Sequence, residues 1–261
     1  MTVLAIDRRA GGVLRVEMAR PEALNTFEET MAGEITQAFS EAGSDPRVRC
    51  VVLAGRGKVF SAGADVHYMK RQGEASEAAN LEDARRFAGM LHAIATCPKP
   101  TIARVQGACM GGAVGFACTC DFTIASQSAR FSVSEARFGI IPAVMSPYLI
   151  AAVGAHRARQ LALSTLRIEA AEAQALGLVW KVVPDDQLDD AVDALTRELH
   201  ACAPGALAEI KALYSRLGSL ASPEVRELTA AKFARMRSLP EAREGFAAFL
   251  EKRPPHWSRE G

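Results

Sequence analysis

The sequence predicts an α/β fold, with strands and helices stacked in layers and a helical region completing the chain. Three observations predict it. Apolar runs of strand length recur at Cys50-Val-Val-Leu-Ala54, Thr101-Ile-Ala-Arg-Val105 and Phe122-Thr-Ile-Ala125. Helical periodicity fills the stretches between them, which gives a β-α-β rhythm. After about Ser146 the pattern becomes helical, broken only by Leu178-Val-Trp-Lys-Val-Val183. These features assign a core to residues 1–200 and a helical C-terminal region to residues 201–261.

Val3-Leu-Ala-Ile alternates apolar and polar residues, turns at Gly11-Gly12 and returns as Val13-Leu-Arg-Val-Glu-Met18, a hairpin signal. Thr26 with Glu29 forms a capping-box pattern, and Met31, Ile35, Ala38, Phe39 and Ala42 follow at helical spacing. The strand at Cys50 comes next. The polar stretch Lys70–Asn80 reads as a mobile loop before a helix from Leu81 to Ala95, which Cys97-Pro-Lys-Pro100 stops. A short helix through Val114-Gly-Phe-Ala117 links the strands at Thr101 and Phe122. Pro204 separates two later helices, and Ser222-Pro223 and Ser238-Leu-Pro-Glu241 are cap signals. Helices that cannot bury every face alone point to an oligomer.

The 261 residues are 49% hydrophobic and 23% charged, an ordinary soluble composition. A net charge of +1 gives no support to non-specific nucleic-acid binding. Local clusters such as Lys70-Arg71 and Arg85-Arg86 still leave room for anionic ligands. No apolar run approaches the ~20 residues of a membrane span, so no membrane is expected. The first residues lack a signal-peptide pattern. The six cysteines are scattered, as free thiols of a reducing cytoplasm would be. Cys118-Thr-Cys120 is too tight for a zinc knuckle, and the histidines show no metal-ligand spacing.

Two segments carry chemistry: Lys58-Val-Phe-Ser-Ala-Gly-Ala-Asp65 and Gly107-Ala-Cys-Met-Gly-Gly-Ala-Val-Gly115. Each follows a buried strand and offers backbone N–H groups beside residues too small to block a ligand. Two such strand ends aimed at one point make an oxyanion hole, the device of carbonyl and thioester chemistry. Tight packing of strand ends against helices uses the same residue types, and this pattern alone leaves both readings open. No G-x-S-x-G elbow, P-loop or G-x-G-x-x-G fingerprint competes. Glu135 follows Phe131-Ser-Val-Ser in an apolar stretch that leads to Gly139-Ile-Ile-Pro142. Burial there would raise its pKa and suit it to proton transfer. The alternative is a surface glutamate paired with Arg130 or Arg137.

In order and spacing, Arg20-Pro-Glu-Ala-Leu-Asn25, Phe60-Ser-Ala-Gly-Ala-Asp65, Lys99–Gly107, Gly111-Gly112, Cys120-Asp121, Phe131–Glu135, Arg137–Pro142, Ala175–Val179 and Ala248–Arg253 resemble the enoyl-CoA hydratase/isomerase (crotonase) superfamily over nearly the whole chain. The resemblance implies a ββα spiral core with a helical C-terminal trimerisation region, assembled as a homotrimer or dimer of trimers. It implies an acyl-CoA thioester substrate and no metal or redox cofactor, since coenzyme A belongs to the substrate. By position, the oxyanion N–H groups fall on Ala64 and Gly112 and the catalytic carboxylate on Glu135. Substrate contacts fall on Ala23, Leu24, Ala62, Asp65 and Gly111, although Asp65 also suits a purely structural bond to its own loop. Phe249 and Lys252 match positions that reach a neighbouring subunit's coenzyme A, although Phe249 also suits a packed helix face and Lys252 a solvated charge run. His67 is placed to cap a helix or touch phosphate, and Asp121 to bond structurally.

Gly115 departs from the pattern, because hydratases of the best-known type carry a second glutamate there. Two enzymatic readings follow. In one, Glu135 and the backbone amide of Ala143 hold the water and hydration proceeds with a single carboxylate. In the other, Glu135 alone shuttles a proton, as in the family's isomerases. The stretch from Ser134 to Tyr148 resembles a hydratase branch acting on methylglutaconyl-type or related branched acyl chains. A further expectation is that the carboxylate of a carboxylated chain orients the water that Gly115 cannot. A non-catalytic acyl-CoA-binding protein is the alternative of a different class. Glu135 together with both small oxyanion residues favours catalysis.

Overall fold

The computed structural model describes residues 3–215, 217, 240, 244, 248 and 251–258. Strands β1 (Leu4–Arg9) and β2 (Val13–Met18) pair antiparallel, with Leu4 opposite Met18. Gly12 makes their turn possible. Its φ is +71°, and a β-carbon there would lie 2.6 Å from the Arg47 carbonyl oxygen.

Helix α1 (Glu29–Ser44) buries Met31, Ala32, Ile35, Phe39 and Ala42, a stripe of one helical face. Its N-cap is Glu28, and Thr26 does not serve the expected capping box. Thr26 precedes a bridge between Phe27 and Ala64, and its hydroxyl donates to Asp65 instead. A tertiary strand contact has taken the residue that the local pattern assigned to a cap.

Strand β3 (Cys50–Gly55) is buried along its whole length, as expected of a parallel strand covered on both faces. Val51 and Leu53 face the main core, while Cys50 and Val52 face a smaller one. Helices α2 (Val66–Glu74) and α3 (Glu77–Thr96) replace the loop expected at Lys70–Asn80. The polar composition there is the solvated side of two capped helices. Asp65 caps α2, and the Ser76 hydroxyl accepts from the Ala79 N–H of α3 at 3.2 Å.

The chain continues through β4 (Thr101–Val105), β5 (Ala108–Met110), α4 (Gly112–Thr119), β6 (Phe122–Ser126) and β7 (Arg130–Ser132). Helices α5 (Ser146–Val153) and α6 (Ala155–Ser164), strand β8 (Ile168–Glu169), helix α7 (Ala170–Leu176), strand β9 (Lys181–Val183) and helices α8 (Leu188–His200) and α9 (Pro204–Tyr214) follow. Among the described residues the larger sheet runs β1-β2-β3-β4-β6-β9, parallel from β2 onward, and β5-β7-β8 form a second sheet. Helices α1, α3 and α4 cover one face of the larger sheet. Helix α8 covers the other through Leu188, Val192 and Leu195.

The expected short helix at Val114–Ala117 proves longer, beginning at Gly112. All six cysteines are free. Burial pushes Cys50 and Cys118 up to about 12, which makes them packing residues rather than nucleophiles. Among the described residues no helix is long and apolar enough to cross a membrane, and no group of side chains is arranged to hold a metal. Ser222-Pro223, the cap signal at Ser238–Glu241 and Phe249 lie outside the described residues. Lys252 is exposed in a turn.

Candidate active site

The site is built upward from Asn25, a fully buried polar residue in the left-handed region at φ +53°. Its Oδ1 accepts from the Arg20 N–H at 3.1 Å, and its Nδ2 donates to the carbonyls of Arg56 at 2.8 Å and Val59 at 2.9 Å. One side chain thereby ties the turn at Arg20 to the loop leaving β3. The Asn25 carbonyl accepts from the Ser61 hydroxyl at 2.8 Å, and that oxygen accepts from the Gly63 N–H at 3.2 Å.

The loop is then held on both sides by backbone. The Phe27 N–H donates to Gly63 O, and the Asp65 N–H donates to Phe27 O, both at 3.0 Å. In this parallel bridge the intervening Ala64 N–H points away from Phe27. On the other side the Ser61 N–H donates to Ala108 O at 3.0 Å, and the Met110 N–H donates to Ser61 O at 3.1 Å. Gly63 must be glycine: its φ is +97°, and a β-carbon would sit 2.8 Å from Met110 O.

Gly111 adopts φ +54° and ψ −132°, which turns the chain so that α4 starts at Gly112. The Gly112 N–H is therefore one of the free donors of a helix N-terminus, where the helix dipole favours negative charge. A β-carbon on Gly112 would lie 2.7 Å from Phe27 Cζ and 3.1 Å from Phe87 Cζ. Among the described residues neither the Ala64 nor the Gly112 N–H donates to a protein acceptor.

Two cavities meet beside these amides. One of about 580 Å³ is lined by Ala62, Ala64, Met110, Gly111 and Glu135, with Arg137 and Arg167 on its flank. The other, of about 340 Å³, is lined by Phe27, Phe87, Ile141, Ala143 and Met145 together with polar residues of α2 and α3. They share Ala64, Gly112 and Glu135. Glu135 opens a 3₁₀ turn, and its buried Oε2 has no hydrogen-bond partner. Burial raises its pKa, only partly offset by the N–H groups of Glu135 and Ser134.

The ion-pair alternative for Glu135 is overturned. Arg130 pairs with Glu169 at 2.6 Å, and the Arg137 Nε donates to the Thr165 hydroxyl at 2.8 Å.

The remaining expected contacts divide. Ala62, Ala64, Gly111 and Gly112 line the larger cavity. Ala23 and Leu24 line neither cavity, although the Leu24 carbonyl holds the Ala62 N–H at 3.0 Å. Asp65 also lies off both cavities and accepts from the N–H groups of His67 and Tyr68 and from Thr26. Burial alone would raise its pKa, but those hydrogen bonds prevail and lower it. His67 serves this cap through its backbone while its side chain is exposed. Asp121 accepts from the N–H and hydroxyl of Thr101, a structural bond as expected.

The Ala143 amide, expected to hold water, donates instead to Ile141 O at 2.8 Å and is therefore engaged. Pro142 directs this tight turn and brings the two peptide units together.

The pattern of the enoyl-CoA hydratase/isomerase family matches residues 8–260. The chain belongs to the enoyl-CoA hydratase/isomerase family. Its fold is that of the crotonase superfamily. It is similar to an enoyl-CoA hydratase from Shewanella pealeana, with a TM-score of 0.94, 36% identity, and 98% of this chain and 96% of the other covered. An enoyl-CoA hydratase from Mycobacterium smegmatis gives a TM-score of 0.93 at 32% identity, with 99% and 100% covered. A 1,2-epoxyphenylacetyl-CoA isomerase of Escherichia coli is 29% identical, with 95% of each chain covered.

Within this family member, Gly115 is closed to a second carboxylate. A β-carbon there would lie 2.9 Å from Met145 Cβ and 3.4 Å from Leu91 Cδ1. The space is filled by apolar side chains. Gly115→Glu is therefore expected to add no activity and to lower stability by about 1–3 kcal/mol through overpacking, read by denaturant unfolding beside an enoyl-CoA assay. A gain in turnover would show that the site opens.

The sequence reading missed Asn25 and Ser61 as positioning residues, because their partners lie far along the chain. It also missed Tyr68 and Asp83 on the wall of the smaller cavity. The signal for both helices was present in the capping residues Asp65 and Ser76.

Proposed function

We propose that the protein is an enoyl-CoA hydratase that adds water across the α,β double bond with a single carboxylate. The observation that carries this reading is the unpartnered, buried Glu135 Oε2 at the junction of the cavities, beside the free N–H groups of Ala64 and Gly112. The thioester oxygen rests on those two amides, coenzyme A leaves through the larger cavity and the acyl chain enters the smaller. Glu135 takes a proton from water as its oxygen bonds to the β-carbon. The electrons of the double bond move to the thioester oxygen, and the resulting enolate is held by fixed dipoles that need no reorganisation. Glu135 then returns the proton to the α-carbon. Neither metal nor redox cofactor enters these steps.

A second reading, double-bond isomerisation, is favoured by the packing of Met145 and Leu91 around Gly115 and by the engaged Ala143 amide. Both leave water with fewer partners, whereas a proton shuttle between carbons needs Glu135 alone. For assembly, exposed Ile141, Leu163 and Leu166 support a homotrimer or a dimer of trimers.

Purified protein mixed with trans-2-enoyl-CoA is expected to lose the conjugated thioester absorbance and to yield a 3-hydroxyacyl product by mass. Conjugation appearing only from a 3-enoyl-CoA would establish the isomerase reading, and silence in both directions would overturn both. The hydration rate is expected to rise with pH through an apparent pKa above the ordinary glutamate value of 4.5, because Glu135 must lose its proton first and burial delays that loss. The same raised pKa stabilises the fold below about 4.5, and that contribution fades as pH climbs through the folded value.

A further inference from the structure

The smaller cavity has two unlike linings. Phe27, Phe87, Ile140, Ile141 and Met145 make part of it apolar. Helices α2 and α3 contribute the polar Tyr68, Gln72, Asn80 and Asp83 to its wall, beside Met69 and Ala84. Hydrogen bonding inside that wall follows one direction. The Tyr68 hydroxyl donates to Asp83 Oδ2, Arg86 Nη1 donates to Asp83 Oδ1 at 3.1 Å, and Asn80 Nδ2 donates to the Gln72 carbonyl at 3.0 Å. The Tyr68 proton is spent on Asp83, so this pair offers only lone pairs, on the phenol and the carboxylate, while the Gln72 and Asn80 amides beside it keep N–H groups of their own. The Asp83 side chain is only 15% exposed. Burial first, and then the Asp83 bond, raise the Tyr68 pKa, so the phenol keeps its proton on Asp83.

Among the described residues no lysine or arginine lines this cavity. Arg86 meets Asp83 from the solvent side, 46% exposed, and Arg137 and Arg167 line the larger cavity.

We propose that the Tyr68–Asp83 pair selects uncharged acyl chains whose far end carries a hydrogen-bond donor, a hydroxyl first of all, and rejects chains ending in a carboxylate. This rests on the enoyl-CoA reading above and names the substrate class of that site. A methyl end buries the wall's lone pairs without replacing the water that solvated them. A hydroxyl end replaces that water. A carboxylate end has no proton to offer this pair and adds like charge beside Asp83, which Arg86 offsets from 3.1 Å, so the methylglutaconyl-type chain is expected to be the poorer substrate.

The test compares trans-2-enoyl-CoAs of about five to seven carbons that end in a methyl, hydroxyl or carboxylate group. In the wild type, kcat/KM is expected to favour hydroxyl over methyl by about 10-fold, the worth of one good hydrogen bond. The carboxylate is expected to fall about 100-fold below the hydroxyl, as an unpaired like charge in a partly buried site requires. Asp83→Asn should recover about 10-fold for the carboxylate series, and Tyr68→Phe with Asp83→Leu should reverse the order in favour of methyl.

A wild-type preference for the methyl or carboxylate end overturns the proposal, as does an order unchanged in both variants. If none of these trans-2-enoyl-CoAs is turned over, the hydratase reading fails and the isomerase reading passes to a 3-enoyl-CoA assay. Calorimetric Kd values of the three saturated thioesters then rank the same three ends and decide the inference separately.

Discussion

Glu135→Gln is expected to lower turnover by about 10²–10⁴-fold, the usual worth of a positioned proton-transfer group, while acyl-CoA binding persists. The substitution keeps the shape and removes the group that exchanges protons. Glu135 has no ion-pair partner to leave stranded, since Arg130 and Arg137 are engaged elsewhere. The amide therefore removes an unpartnered buried acid, and the fold should be unharmed or slightly more stable near neutral pH. Single-turnover kinetics beside calorimetric titration of a saturated acyl-CoA separates chemistry from binding. Turnover within a few-fold of wild type would remove Glu135 from the mechanism, and loss of binding would make it a binding group instead.

Gly112→Val acts on the other half of the site and is expected to cost about 10²–10³ in kcat, the loss of one oxyanion donor. A β-carbon here meets two ring atoms, Phe27 Cζ at 2.7 Å and Phe87 Cζ at 3.1 Å, in a pair stacked at 5.1 Å. The rings cannot both move aside without disturbing Phe116, which packs against them. Strain then moves the start of α4, and the amide with it. Steady-state kinetics on a short enoyl-CoA is the check, because a short chain needs little of the cavity that the valine fills. A rise in KM with kcat preserved would mean that Gly112 serves space and not charge.

What could be read from the residues tracks how local each determinant is. Strand β3 and the two glycine loops were legible because a buried parallel strand and a positive-φ glycine impose their own residue types. Glu135 was legible only through the resemblance. The residues around it fit an ion pair equally well, and only the engagement of Arg130 and Arg137 in three dimensions decides between them. Asn25 carried no local sign of its work, since it bonds to carbonyls more than thirty positions away. The stretch Lys70–Asn80 misled because solvent-facing helices and loops share a composition, and the caps at Asp65 and Ser76 were the finer signal. Thr26 misled in the opposite sense, a good cap by pattern whose hydroxyl goes to Asp65 beside the Phe27–Ala64 bridge.

The two free amides belong to the main chain: Ala64 lies between Gly63 and Asp65, both bonded to Phe27, and Gly112 follows Gly111, whose N–H donates to Ser132 O at 2.8 Å. No substitution deletes a peptide N–H short of proline, so these amides are lost only by displacement, as a side chain at Gly112 or Gly63 would bring about, whereas Glu135 can be replaced outright. What a substitution can readily change is the walls around these amides, the apolar filling beside Gly115 and the polar side chains of Tyr68 and Asp83 among them.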